Sequence, residues 1–116
     1  MKLVYLESPY AGNIDRNVRY ARACMADCIK RGEAPFASHL IYTQPGILDD
    51  NKPDERKLGI EAGFAWAKFA DATIVYDDLG VSKGMAAGIE RAHSLGRAVE
   101  WRTLGGEWSE YEKSFK

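Results

Sequence analysis

Two cysteines, two histidines and four prolines are all that the 116 residues carry of these types, and no apolar run approaches the length of a membrane span. Cys24 and Cys28 sit four apart inside a helical pattern, and His39 and His93 lie far from them and from each other, so no metal-ligand set is spelled out. The reading is two free thiols packed as small hydrophobes, with no metal and no cofactor expected. A basic excess is also missing: 16 Lys and Arg against 17 Asp and Glu leave a net charge of −1, which disfavours broad nucleic-acid binding. The opening MKLVYLESPY is too short and too soon interrupted for a signal peptide, so a cytoplasmic protein without membrane association is expected. Internal repeats, low-complexity stretches and linkers are absent as well. What remains, at 46% hydrophobic and 28% charged, is the composition of one globular domain spanning 1–116.

The patterning within it is that of alternating strands and helices. Leu3-Val4-Tyr5-Leu6 is a continuous apolar run, as expected of a strand covered on both faces. Asn13 or Asp15 then caps a helix with apolar positions Ile14, Val18, Ala21, Met25, Cys28 and Ile29, stopped by Gly32. Ala34-Pro35-Phe36-Ala37 reads as an edge strand, because proline removes a ladder donor. Ser38 to Lys52 reads as a long loop with at most one turn of helix. Pro53 opens a helix to about Ala70, its expected buried stripe being Leu58, Ala62, Ala65 and Phe69, widened by Ile60, Phe64 and Ala67. Gly59, Gly63 and Ala67 form a small-residue line suited to close approach of a neighbour. Ala72–Tyr76 is the clearest buried strand, and a helix follows from about Ser82 to Leu95, stopped by Gly96. Val99 and Trp101 alternate with Glu100 and Arg102, as in a half-exposed edge strand. Residues 105–116 read as a helical tail with Trp108, Tyr111 and Phe115 on one face, which caps the core or meets a partner subunit.

This order predicts an α/β fold: a doubly wound, Rossmann- or flavodoxin-like parallel sheet of about four to five strands, order 2-1-3-4, with helices on both faces. The winding reverses between the first and third strands, and their two following turns then face one another across a crevice. In the first turn, Ser8 offers a hydroxyl, Pro9 fixes the bend, Tyr10 offers a ring for stacking, and Gly12 permits close approach. Arg16, one turn into the helix, is placed to reach an anion. In the second turn, Ser82, Gly84 and Met85 open a helix whose free N–H groups and dipole favour an anion. Asp77 and Asp78, at the carboxyl end of a central strand, are placed to accept hydrogen bonds from ribose hydroxyls. His39 either lines the crevice or is a satisfied structural histidine; a simple capped turn is the plain alternative for each segment.

The stretches YLESPYAG, GEAPFASHL and ADATIVYDDLGVSKGMAAGIERAHSLGRAVEWR resemble the nucleoside 2-deoxyribosyltransferase superfamily, and most of all its small phage and bacterial members. That resemblance covers roughly residues 2–104 and implies a doubly wound fold, dimers or larger homo-oligomers, and N-glycosidic chemistry with a glutamate nucleophile and no metal. It also implies a Gly-Thr-Ala-x-Glu-x-Gly pattern, which places Gly88 where the glutamate belongs. Glu90, two residues on, is rotated by about 200°; it stands as the weak candidate acid, with Glu7 and Glu61 as substitutes that no motif supports. Two functions follow as expectations. The first is a module that binds a nucleoside- or nucleotide-derived small molecule, such as an ADP-ribose-type immune signal sequestered by a phage protein in the host cytoplasm. The second is an N-glycosidase or deoxyribosyltransferase acting on deoxynucleosides or deoxynucleotides.

Overall fold

The structure, a computed structural model, describes residues 1–106 and Trp108. Its elements are β1 (Lys2–Glu7), α1 (Ile14–Lys30), β2 (Glu33–Phe36), α2 (Ser38–Ile41), α3 (Pro53–Ala67), β3 (Ala72–Tyr76), α4 (Lys83–Ser94) and β4 (Ala98–Arg102). All strand pairs are parallel and the sheet order is β2-β1-β3-β4, so the winding does reverse between β1 and β3. Asn13 is the residue that caps α1, accepting from the Arg16 amide at 3.2 Å. Gly32 follows the end of that helix with φ of 83°, a conformation glycine adopts without a Cβ penalty.

Strand parity divides the core. Val4, Leu6, Ile74 and Tyr76 pack with Tyr20, Cys24 and Cys28 of α1 on one face. Tyr5, Glu7 and Val75 project to the other, where Val75 packs with Met85 and Ile89 of α4. Both thiols are free and buried, as the sequence suggested.

Three expectations about faces are corrected. The buried face of α1 is Asn17, Tyr20, Ala21, Cys24, Asp27 and Cys28, while Ile14 and Ile29 are exposed. Polar residues can hold that face because each is bonded there. Asn17 Nδ2 donates to the Tyr10 and Ala11 carbonyls, and Asp27 accepts from the Tyr76 hydroxyl at 2.7 Å. On α3, Gly63 and Ala67 face inward while Leu58, Ile60 and Trp66, and Phe69 just beyond the helix, are exposed. A Cβ at Gly63 would sit 2.6 Å from the Tyr5 hydroxyl, so the small-residue line is what lets α3 approach the sheet. On β4, Trp101 is half exposed whereas Arg102 turns in and forms a bidentate pair with Glu33, both contacts at 2.7 Å. That pair joins the two edge strands. Of the tail, Trp108 packs edge-on to Tyr20 at 5.3 Å between ring centroids; Tyr111 and Phe115 lie outside the described residues.

Candidate functional site

β1 and β3 are adjacent and parallel, so the segments leaving their carboxyl ends emerge side by side. Between them, walled on the other sides by α2, the following segment and α3, lies a pocket of about 390 Å³. That is the size range of small-ligand sites. Glu7, Ser8 and Tyr10 line it from the first turn, Ser82, Lys83, Gly84 and Met85 from the second, and His39, Tyr42, Arg56 and Phe64 from the far wall.

Ser8 is buried, and its hydroxyl lies 2.6 Å from His39 Nε2. Burial holds the His39 ring well below its ordinary value, at about 4, so it is neutral at physiological pH and its Nε2 shares one hydrogen with the serine hydroxyl. The Tyr5 hydroxyl pairs with Ser38 Oγ at 2.8 Å and is pushed up to about 12, chiefly by burial. The floor of the pocket is therefore neutral and bonded.

Glu7 is the exception. Its residue is only 9% exposed, and burial alone pushes its carboxyl from 4.5 up to about 8. Among the described residues nothing donates a hydrogen bond to it. The space it fills exists because α4 carries glycine at 88: a Cβ there would stand 2.6 Å from the Glu7 Cδ and overlap Oε2.

α4 is capped by Ser82, whose hydroxyl accepts from the Met85 amide at 3.2 Å while the Ser82 amide donates to the Met85 sulfur at 3.4 Å. Met85 is thereby locked in the core, at 1% exposure. Arg56 comes close to this first turn, its Nη2 lying 3.9 Å from where a Gly84 Cβ would be. Lys83 lines the pocket beside it, and Asp50 and Glu55 line the same pocket, so both signs of charge are present.

Of the residues singled out from sequence, Ser8, Tyr10, His39, Ser82, Gly84 and Met85 are brought together around the pocket. Pro9, Gly12, Arg16, Asp77, Asp78 and Glu90 are not among its lining residues. Gly12 turns the chain at φ of 100°, and Arg16 Nη2 donates to Asn17 Oδ1 at 3.3 Å. Asp77 is half-buried outside the lining. Asp78 is engaged elsewhere: its carboxylate accepts from the Tyr20 hydroxyl at 2.5 Å and from the Leu104 and Gly105 amides at 2.9 Å each. Burial opposes its ionisation, but those donors hold it below the usual carboxylate range. Glu90 is exposed on the outer side of α4, as the helical rotation from Gly88 requires. Arg56 and Tyr42 escaped the sequence reading as site residues, and Phe64 figures in it only as part of the buried stripe of the helix; the Gly59–Gly63 line, which turns that side of α3 inward, was the available signal.

A parallel, doubly wound sheet with a pocket at its switch point defines the class of protein. Within that class, the chain belongs to the family described as "Domain of unknown function (DUF7768)", which it matches over residues 2–102. Among solved structures, it is similar to a 2-deoxyribosyltransferase from the psychrotolerant bacterium Bacillus psychrosaccharolyticus, described as a biocatalyst for nucleoside synthesis. The TM-score is 0.63 at 21% identity, over 90% of this chain and 74% of that one, a likeness of fold. No curated protein matches the chain in sequence. No helix among the described residues is long and apolar enough to cross a membrane.

Proposed function

We propose that the pocket binds a nucleoside- or nucleotide-derived small molecule. The observation that carries this reading is the convergence of the two strand-to-helix turns on one pocket. It has a hydroxyl–imidazole pair, tyrosine rings and a helix start flanked by Lys83 and Arg56, with Asp50 and Glu55 also in its lining. Tyr10 and Tyr42 supply faces for a base, Ser8 and His39 supply hydrogen bonds for a sugar, and the α4 amides with Lys83 and Arg56 supply an anion site for a phosphate. The fold likeness to a 2-deoxyribosyltransferase supports the same ligand class. Isothermal titration with deoxynucleosides, their 5′-monophosphates and ADP-ribose tests the proposal. Saturable binding of at least one, weakened about tenfold or more by Arg56→Ala for phosphorylated ligands only, is the expected result. Absence of heat with every member of the panel refutes it.

Two fates for the ligand are compatible with such a pocket. A protein that holds its ligand intact sequesters it, as for an ADP-ribose-type immune signal bound by a phage protein in the host cytoplasm. A protein that cuts it is an N-glycosidase or deoxyribosyltransferase, and the unpartnered Glu7 carboxyl beside the sugar-binding groups favours that second fate. We further infer that the chain works as a homo-oligomer, supported by the solvent-facing Leu58, Ile60, Trp66 and Phe69 on and just after α3. Light scattering after size-exclusion chromatography measures the assembly, and a monomer at micromolar concentration removes this part of the reading.

A further inference from the structure

A carboxyl group buried without a partner is costly, and a fold retains one where the missing partner is a ligand or a reacting atom. Glu7 meets that description. Every other buried polar group on the pocket floor is bonded: Tyr5 to Ser38, and Ser8 to His39. Glu7 lines the cavity, and among the described residues nothing donates a hydrogen bond to its carboxyl. The arrangement is built from two elements at once. Strand parity sends Glu7 to the α4 side of the sheet, one residue before Ser8, and α4 opens a gap for it by carrying no side chain at 88. Either residue alone is unremarkable, but together they deliver a carboxyl from a strand end into a space that a helix residue would otherwise fill.

We propose that Glu7, seated over Gly88, is the carboxylate that attacks the anomeric carbon of a nucleoside-type ligand in this pocket. This rests on the ligand reading above. In the first step the Glu7 carboxyl gives its proton to the base nitrogen as the C1′–N bond breaks, the bond pair passing to that nitrogen, and a Glu7 oxygen donates an electron pair to C1′. In the second step a water oxygen adds to C1′, the ester bond to Glu7 breaks, and a proton of that water returns to the carboxyl. The sum is nucleoside plus water giving free base plus sugar, with no other reactant. The chain reaches this chemistry from β1, whereas Glu90 on α4 faces solvent and takes no part.

The test compares wild type, Glu7→Gln, Glu7→Ala, and the exchange variant Glu7→Ala/Gly88→Glu, which returns a carboxyl to the gap from the helix side. Each is assayed by chromatography for base release from the four deoxynucleosides and their 5′-monophosphates, and by calorimetry for binding of the same compounds. Circular dichroism and a thermal midpoint establish that each variant is folded. The proposal expects base release by wild type, a loss of at least about a hundredfold in Glu7→Gln with affinity kept within about threefold, and partial recovery in the exchange variant over Glu7→Ala alone. A quenched wild-type reaction should carry the sugar on the peptide containing Glu7. Base release by Glu7→Gln within about threefold of wild type overturns the assignment. Binding without release across the panel overturns the attack by Glu7 and leaves the binding pocket standing. Neither binding nor release overturns both.

Discussion

Replacing Glu7 with glutamine should make the protein more stable, and increasingly so as pH rises. The carboxyl of the folded state titrates near 8 because burial penalises its charged form, whereas in the unfolded chain it titrates near 4.5. Between those values the folded protein holds a proton that the unfolded chain has lost, so Glu7 makes stability fall with rising pH, levelling above about 8. At about 1.4 kcal/mol for each pH step, the full span amounts to roughly 5 kcal/mol. That is a ceiling, because water can reach the carboxyl from the pocket. Glutamine keeps the size and cannot ionise, so the difference between variant and wild type isolates this one group from all others that titrate. Urea denaturation at pH 5, 7 and 9 measures it. The difference should be small at pH 5 and grow to some 2–5 kcal/mol in favour of the variant at pH 9. A difference that stays flat within about 0.5 kcal/mol across that range would refute the claim that the carboxyl is buried without compensation.

Gly88→Ala should cost roughly 1–3 kcal/mol in wild type and much less in a Glu7→Ala background, because the three nearest atoms a Cβ would meet all belong to that carboxyl; a double-mutant cycle in urea measures the coupling, and additive effects would sink it. Asp78→Ala should remove about 3 kcal/mol of stability by leaving Tyr20 and the Leu104 and Gly105 amides without their acceptor. It should leave ligand affinity within about threefold by calorimetry, and a selective loss of binding would return Asp78 to the site. The His39 ring should remain neutral at pH 5, since its titration lies near 4. Stability should then fall with acid as pH drops below the ordinary histidine value of about 6.5, where the unfolded chain takes up the proton first. Ring resonances followed by NMR report the ionisation, and a midpoint near 6.5 would mean that the ring is solvated.

Sheet order was legible because each edge strand declares itself: Pro35 cannot sit in a doubly paired strand, and β4 mixes charged with apolar residues. Once β2 and β4 are at the edges, the facing of the two turns follows, and with it the grouping of Ser8, Tyr10, Ser82 and Gly84. The helix faces were not legible, for a common reason. Counting apolar residues finds the buried side only where burial is apolar. On α1 the inner face includes Asn17 and Asp27, acceptable because tertiary partners bond them. On α3 the buried residues are glycine and alanine, while Leu58 and Trp66 point out and Phe64 turns to the pocket. The site shows the same limit. Alternation along β1 places Glu7 on the side of Tyr5, but that it meets a gap rather than a side chain depends on α4, 81 residues later in sequence. Asp78 misled for the converse reason, since a carboxylate at a strand end serves equally well to hold a passing backbone.

The Arg102–Glu33 pair has a mechanical consequence. With its two edge strands latched across one face, the sheet behaves as a plate, and the ends of β1 and β3 move with it. Glu7, Ser8 and the start of α4 are therefore fixtures. The opposite wall rests on the plate through small residues at Gly63 and Ala67 and is tied to it by the Ser8–His39 and Tyr5–Ser38 hydrogen bonds, which leaves Tyr42 and Arg56 as the side chains of that wall outside those bonds. Adjustment to ligands of different length is then a property of that wall, and substitutions in it should widen or narrow the range of ligands accepted without displacing the carboxyl.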